Sequence, residues 1–369
     1  MNNHLHIVCL DVPYPPDYGG VVDLYCKIKS LHRAGVEISL HCFEYGRGKQ
    51  PELEKYCKEV FYYPRNKKIN FRLPYIVSSR NNRQLISNLQ RDDDPVLLEG
   101  IHCTYPLFTG KLNSERVWIR LHNIEYRYYS FLAKHAHNLL RKTYYTVESY
   151  LLKKYESDLA PHNRYLAVSL GDIELYRKLH PRKIEFLPVF LPNNEVRSQE
   201  GKGDFILYHG NLSVEENERA AIWLLESGAH QTGMPLIIAG KNPSKKLLQI
   251  CKKNSVTCLQ NISPEKMEEL MCSAHIHLVP SFNATGIKLK LLNALFLGRF
   301  VITNTAAVAG SGVESLCSVA DSPEELIRQI RYFSQMDFNQ NDIERRKEIM
   351  ESLFNAEKNT RHLVRLLFH

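Results

Sequence analysis

Residues 281–304, SFNATGIKLKLLNALFLGRFVITN, bring together side chains and a turn that suit a phosphate group. A strand ends near Pro280, a turn carries Thr285 and Gly286, a helix is predicted from about Lys288 to Leu297, and a buried strand follows. A helix start offers backbone N–H groups without intrahelical acceptors and a partial positive charge, and Gly286 lets an anion approach the backbone closely. At about 100° per residue, Gly286, Lys290, Asn293 and Leu297 share one face, so a cation and an amide point toward the same ligand. The competing reading is an amphipathic core helix whose Lys288 and Lys290 merely reach solvent. Two lysines, a glycine and an asparagine converging after a strand end favour the phosphate cradle.

Other candidates are weaker. Asp92, Asp93 and Asp94 match an acidic metal motif, but they fall between a helix and the strand PVLLEG, where a solvated turn is the simpler explanation. Sixteen histidines invite a metal reading, yet none shows HExxH spacing. His102, after Glu99 at a strand end, is as well explained by a structural role as by a place in a ligand site. No nucleophile elbow for Ser or Cys is present.

The elements that must position these residues follow a βαβ rhythm. HLHIVCL (4–10) reads as a strand, PYPPDYGG (13–20) as a loop, and Val21, Leu24, Ile28 and Leu31 recur at helical spacing before Gly35 and the strand VEISLHCF (36–43). Strands are also predicted at 60–64, 95–100, 117–123 and 164–169. A polar stretch, 191–204, has the composition of a linker. The rhythm restarts with strands DFILYHG (204–210), PLIIAG (235–240), HIHLVPS (275–281) and RFVITN (299–304), and ends in a helical tail from about 323 to 369 that could cross back to the first domain. The predicted fold class is therefore α/β, two doubly wound Rossmann-like domains facing across a cleft, with ligands at the carboxyl ends of the strands. The expected domains are 1–192, 193–345 and a C-terminal helical segment 346–369.

Length and composition agree with this division. A chain of 369 residues is long enough for two cores, and 44% hydrophobic with 24% charged residues is a globular balance. No apolar run reaches the roughly 20 residues of a membrane span, and the N-terminal prolines interrupt any secretory core, which predicts a cytoplasmic protein. The nine cysteines are scattered without a CxxC pair, arguing against a disulfide framework or zinc site. A formal charge of +8 favours anionic ligands or surfaces. Lys134, Arg141, Lys142, Lys153 and Lys154 alternate with Tyr144, Tyr145, Tyr150 and four leucines, a composition that fits either an ordinary surface helix or one lying on a membrane. No groove-reading motif points to nucleic acid.

Residues 281–304 resemble the C-terminal signature of the retaining glycosyltransferases of family four, the glycosyl transferases of group 1, which have the GT-B fold. In that family the donor-site helix carries a Glu near the transferred sugar and, eight positions on, a Glu that holds the ribose. Counted onto this chain, those places are Thr285 and Asn293, and neither is glutamate. Gly286, Ala294, Leu295 and Gly298 keep the pattern. PYPPDYGG is similar to the acceptor-side loop whose Gly-Gly backbone, here Gly19 and Gly20, lies near the donor phosphates. RLHNIE (120–125) looks like the motif whose histidine approaches the sugar, which nominates His122. YLAVSLGD (165–172) and LPVFLPNN (187–194) resemble the closing segments of the first domain, the latter as a linker strand. HGNLSVEENERAAIWL (209–224) is similar to the start of the donor domain in a subgroup with an Asn at the position of Asn217. Much of the family places Arg and Lys where this chain has Asn211 and Glu216.

The resemblance implies an enzyme, hexosyltransferase-like, that moves a sugar from a nucleotide-diphosphate sugar to a hydroxyl acceptor with retention, in bacterial cell-surface polysaccharide or glycolipid synthesis. His122 and Thr285 are the expected catalytic positions. Gly19, Gly20, Gly210, Asn211, Lys241, Gly286, Ile287, Lys288, Lys290 and Asn293 are the expected donor-binding positions. No metal or cofactor is expected, the nucleotide-sugar being substrate. The expected partners are that donor, a glycan or lipid-linked acceptor and an anionic membrane surface on which the protein sits peripherally. The alternatives are a nucleotide-sugar epimerase of the same shape and a catalytically silent nucleotide-binding protein.

Overall fold

The computed structural model describes residues 3–136, 138–193 and 195–369. The chain divides into two units, Met1–Pro192 with Phe354–His369, and Asn193–Leu353.

The first unit is built on a parallel sheet of seven strands, β1 (His4–Cys9), β2 (Glu37–Glu44), β3 (Glu59–Pro64), β4 (Val96–Glu99), β5 (Val117–Leu121), β6 (Arg164–Ala167) and β7 (Lys183–Phe186), in the order β3-β2-β1-β4-β5-β6-β7. Parallel strands need crossover connections, and covering helices leave both sheet faces apolar. On one face Leu5, Ile7 and Cys9 of β1 pack with Leu24, Ile28 and Leu31 of the helix Gly19–Arg33. The final helix, Ala356–Phe368, joins this face through Leu363 and Leu367, and Trp118 Nε1 donates to the carbonyl of Leu366 at 3.1 Å. On the other face Val8, Val96 and Leu98 pack with Leu85, Leu89, Leu152 and Tyr155.

The second unit has six parallel strands, β8 (Ile206–Asn211), β9 (Leu236–Lys241), β10 (Thr257–Gln260), β11 (Ile276–Val279), β12 (Phe300–Thr303) and β13 (Ser318–Val319), in the order β10-β9-β8-β11-β12-β13. Its core gathers Ile206, Tyr208, Ile238, Ile276, Leu278 and Ile302 with Leu224 and Leu225 of the helix Glu215–Glu226.

Three expectations are corrected. The helix Gln340–Leu353 runs through the expected boundary at 345/346, because Arg346 is buried and donates to Ser198 Oγ at 2.8 Å and to the carbonyls of Gly298 and Arg299, so it stays with the second unit. The stretch 191–204 is not a free linker. From Asn193 it belongs to the second unit, with Arg197 N donating to Phe296 O at 2.7 Å and Gly201 bridged to Phe338. Asn194, within that stretch, lies outside the described residues. Residues 187–190 form buried coil instead of a strand, and the strand of that region is Lys183–Phe186. Among the described residues, no helix is long and apolar enough to cross a membrane.

Candidate functional site

In the first sheet the strand order reverses between β1 and β4, and ligands of such sheets bind outside the carboxyl ends at that point. Polar groups converge there. Glu99 closes β4, His122 follows β5, and Asp23 and Lys27 come from successive turns of the helix Gly19–Arg33. Lys27 Nζ lies 3.1 Å from Asp23 Oδ2 and 2.9 Å from Glu99 Oε1. Arg120 Nη2 lies 3.4 Å from Asp23 Oδ1, and the backbone N–H of Phe190 donates to the same oxygen at 2.7 Å. All four charged side chains are buried. Two carboxylates against two cations leave the cluster electrically balanced, which is the condition for keeping charges out of water.

His122, partly exposed, completes the group with Nε2 at 2.9 Å from Glu99 Oε2 and Nδ1 at 3.9 Å from Asp23 Oδ2. Burial alone would raise the Glu99 carboxyl, but the Lys27 ammonium, the hydrogen bond from His122 and its charge together hold it below the usual range. Asp23 behaves alike, with Lys27, Arg120, His122 and the Phe190 N–H overcoming its desolvation. An ionised carboxylate only accepts, so the proton between His122 and Glu99 sits on Nε2. Asp23, Glu99 and His122 also offer three metal-ligand atoms within 4.8 Å of one another, but the Lys27 ammonium already contacts both carboxylates, where a cation would sit. Gly19 and Gly20 open the same helix. A Cβ on Gly20 would stand 3.6 Å from the Tyr18 ring, an ordinary contact, so packing does not demand glycine there.

The second sheet reverses between β8 and β11. Gly210 near the end of β8 is in register with Gly240 of β9, and a Cβ on Gly240 would fall 2.0 Å from Gly210 O, so these strand ends touch only because one residue is glycine. Lys290 Nζ donates to Asn217 Oδ1 at 3.0 Å and reaches Pro280 O at 3.4 Å, while Asn217 Nδ2 donates to Asn211 O at 3.0 Å. Burial pulls the Lys290 ammonium down to about 8, Lys288 pushes the same way, and Glu216 opposes them. Glu216 accepts from Ser281 Oγ at 2.5 Å, bracing the turn after β11.

The helix Leu289–Leu297 starts one residue later than predicted, with Lys288 as N-cap and no side-chain cap, and its carbonyl accepts from the N–H groups of Leu291 and Leu292 at 2.9 and 3.4 Å. Gly286 therefore lies before the helix, in a left-handed turn at φ +66°, and does not belong to the face it was expected to share with Lys290 and Asn293. Thr285 is buried, its hydroxyl donating to Asn283 Oδ1 at 3.0 Å, and Lys288 Nζ donates to Thr285 O at 2.8 Å. Asn211, Ile287 and Asn293 are half-buried and Lys241 is exposed. Of the predicted residues, Gly19, Gly20 and His122 lie in the first unit and the rest in the second. Two open surface concavities, one around Pro323, Ile327 and Arg331 and the other around Lys68, Phe71 and Tyr105, contain none of them.

Sequence reasoning missed Asp23, Lys27 and Arg120. The available signal was an acid and a base four residues apart between Leu24, Ile28 and Leu31, a spacing equally typical of a solvated helix face.

Residues 203–335 match the family model of the glycosyl transferases group 1. A relative from Klebsiella pneumoniae, described as an uncharacterized 44.6 kDa protein in the cps region, is 25% identical over 83% of this chain and 84% of its own. Among solved structures, HepE of Anabaena in complex with UDP and glucose is similar with a TM-score of 0.66 at 11% identity, covering 99% of both chains. A glycosyltransferase from Rickettsia africae has a TM-score of 0.68 at 12% identity, covering 99% of this chain and 98% of that one. These likenesses show the GT-B fold.

The helix Glu125–His135, which follows His122 in the chain, carries its own pH dependence. Glu125, buried three residues on, is pushed up to about 8 by burial, with Asp172 adding and Asn123 and Arg80 opposing. Its folded-state value lies above the unfolded one, so its contribution to stability is complete below about pH 4.5 and is lost as pH rises through about 8. Glu125→Gln is expected to remove roughly 1.4 kcal/mol of the stability lost per pH unit within that window, read by denaturant unfolding at a series of pH values. An unchanged pH slope would show that Glu125 is ionised in the native protein.

Proposed function

From the premise that the chain is a glycosyltransferase of group 1 with the GT-B fold, we propose that it moves a sugar from a nucleoside-diphosphate sugar to a hydroxyl acceptor with retention at the anomeric carbon. The observation that carries this reading is the Lys290 ammonium, half-buried at the reversal point of the second sheet beside the start of the helix Leu289–Leu297. A leaving diphosphate gains charge as its bond to the sugar breaks, and preorganised donors in a water-poor site stabilise that charge most. Gly210, Gly286, Ile287 and the first helical N–H groups receive the diphosphate, with Lys290, Lys288 and Lys241 supplying charge. Asn293 bonds the ribose by its amide, and Thr285 and Asn211 line the sugar end. Within the first unit, taken by itself, the same reading assigns Gly19 and Gly20 to donor binding and His122, fixed by Glu99, to catalysis.

In the reaction the bond from the anomeric carbon to the diphosphate oxygen breaks, a bond to the acceptor oxygen forms on the same face, and the departing phosphate oxygen takes the acceptor's proton. Nucleoside diphosphate and glycoside are the products. The charge on the leaving group is met by protein cations and helix donors, so the scheme calls for no metal. The cps-region relative supports an acceptor in cell-surface polysaccharide or glycolipid synthesis.

Incubation with a panel of nucleotide-sugars tests the reading: slow donor hydrolysis supports transfer, release of a free isomer would mark an epimerase, and binding without turnover a silent nucleotide-binding protein. Lys290→Ala is expected to lower turnover by about 10²-fold. Wild-type donor affinity is expected to fall as pH rises past about 8, where the ammonium loses its proton. If Lys290→Ala turned over normally while His122→Ala did not, the charge role would pass from Lys290 to other residues.

A peripheral membrane location belongs to the same proposal. On the helix Leu139–Leu159, Leu139, Leu140, Val147 and Tyr150 are exposed alongside Arg141, Lys142, Lys153 and Lys154. Apolar side chains beside cations suit an anionic bilayer surface. Neutralising the four cations together is expected to cut binding to phosphatidylserine vesicles, by about 1 kcal/mol for each charge that nears the surface. Unchanged vesicle binding removes the membrane from the account.

A further inference from the structure

We propose that the first unit holds a divalent transition-metal ion at the amino ends of β1 and β4, bound by His4, His6, Asp92 and Asp94. Ligand atoms from these four side chains lie within 4.8 Å of one another. His4 Nδ1 is 2.7 Å from Asp94 Oδ2, and His6 Nε2 is 3.1 Å from Asp92 Oδ1. Zinc with bonds of about 2.0–2.2 Å sets tetrahedral ligand atoms about 3.3 Å apart, so small side-chain rotations close the set on an ion. Two imidazoles with two carboxylates suit zinc and its first-row neighbours.

The backbone fixes this meeting. His4 and His6 are two residues apart on one strand and so share a face of the sheet. β1 pairs with β4 in the register His6↔Val96, and His6 N donates to Pro95 O at 3.0 Å, which sets the turn 91–95 opposite the two rings. The turn is shaped by Asp94 N donating to Asp92 Oδ1 at 3.0 Å. The site is at the opposite end of β4 from Glu99 and is separate from the His122 cluster.

The far nitrogen of each ring already has a partner, as ligating histidines require. His4 Nε2 lies 3.0 Å from Ser39 Oγ, which donates to Glu59 Oε2 at 3.3 Å. His6 Nδ1 lies 2.9 Å from His41 Nε2, His41 Nδ1 lies 2.8 Å from the Tyr63 hydroxyl, and Asn88 Nδ2 donates to that hydroxyl at 2.7 Å. His6 can therefore move its proton to Nδ1, with His41 accepting it at Nε2 and donating from Nδ1 to the Tyr63 hydroxyl, whereas His4 Nε2 already donates to Ser39 Oγ and its Nδ1 presents a lone pair once the proton shared with Asp94 leaves to solvent. His6 is buried, whereas Asp92 and Asp94 are about 36% and 42% exposed, which leaves the ion a path from solvent. Arg116 stands 3.7 Å from Asp92 Oδ1, beyond hydrogen-bond distance.

The test uses the full chain stripped with chelator and titrated with Co²⁺, then Zn²⁺. One equivalent of Co²⁺ is expected to give the visible bands of a tetrahedral nitrogen and oxygen site, without thiolate charge-transfer absorption. Zn²⁺ is expected to displace the Co²⁺ and raise the melting midpoint. His41→Phe, which keeps a ring against Phe61, is expected to weaken metal binding by about 10–100-fold. Asp94→Asn, at the partly exposed turn, is expected to weaken it at least as much and remains informative if the buried substitution fails to fold. Equal affinity in wild type and Asp94→Asn, thiolate bands, or no stoichiometric binding would overturn the site and leave a histidine–aspartate hydrogen-bond network.

Discussion

Lys27 carries a charge into the interior of the first unit and meets two carboxylates there, Asp23 and Glu99. Without that ammonium, two like charges would face each other in a medium that screens them poorly. With it and Arg120, the group is neutral and each carboxylate stays ionised and able to accept. Several distant pieces of chain depend on this one contact. Asp23 receives the backbone N–H of Phe190 from the end of the unit, and Glu99 receives His122 after β5. Removing one partner of a buried set typically costs about 3–5 kcal/mol, since a bare charge remains.

The second unit solves a related problem with less charge. Lys290 is held by an amide and a carbonyl, with Glu216 near enough to bias it, and burial lowers its affinity for a proton. A cation poised in this way gains most when an anion arrives, because the incoming charge replaces neutral partners. Fixed backbone supports it: the Gly210–Gly240 approach brings two strand ends together beside Asn211, and Asn217 links that end to Lys290. At Thr285 and Asn293, where the resembled family carries glutamates, this chain is neutral.

The central strands of both sheets were legible because strands covered on both faces are continuous apolar runs that end in glycine or proline. β7, β10 and β13 were missed, since short edge strands carry polar and exposed residues. The run LPVF read as a strand and is buried coil, because side chains take its backbone groups: Arg120 donates to the carbonyls of Leu187 and Pro188, and Asp23 accepts the N–H of Phe190. The turn at Thr285 and Gly286 and the helix that follows it were readable because their residues are local in sequence. The set around Lys27 was not, since it joins four separate segments and its helical pair has the spacing of a solvent-facing salt bridge. Asp92–Asp94 passed for a solvated turn for the same reason: His4 and His6 arrive from another strand.

The central claim is that an ionised Glu99, balanced by Lys27, fixes the ring of His122. The most direct measurement is the tautomer of His122, from ¹⁵N NMR of histidine-labelled protein at neutral pH. The geometry predicts a proton on Nε2, where Glu99 accepts it. A bare Nε2 with the proton on Nδ1 would contradict the account, because an ionised carboxylate cannot bond to a ring nitrogen that carries no proton.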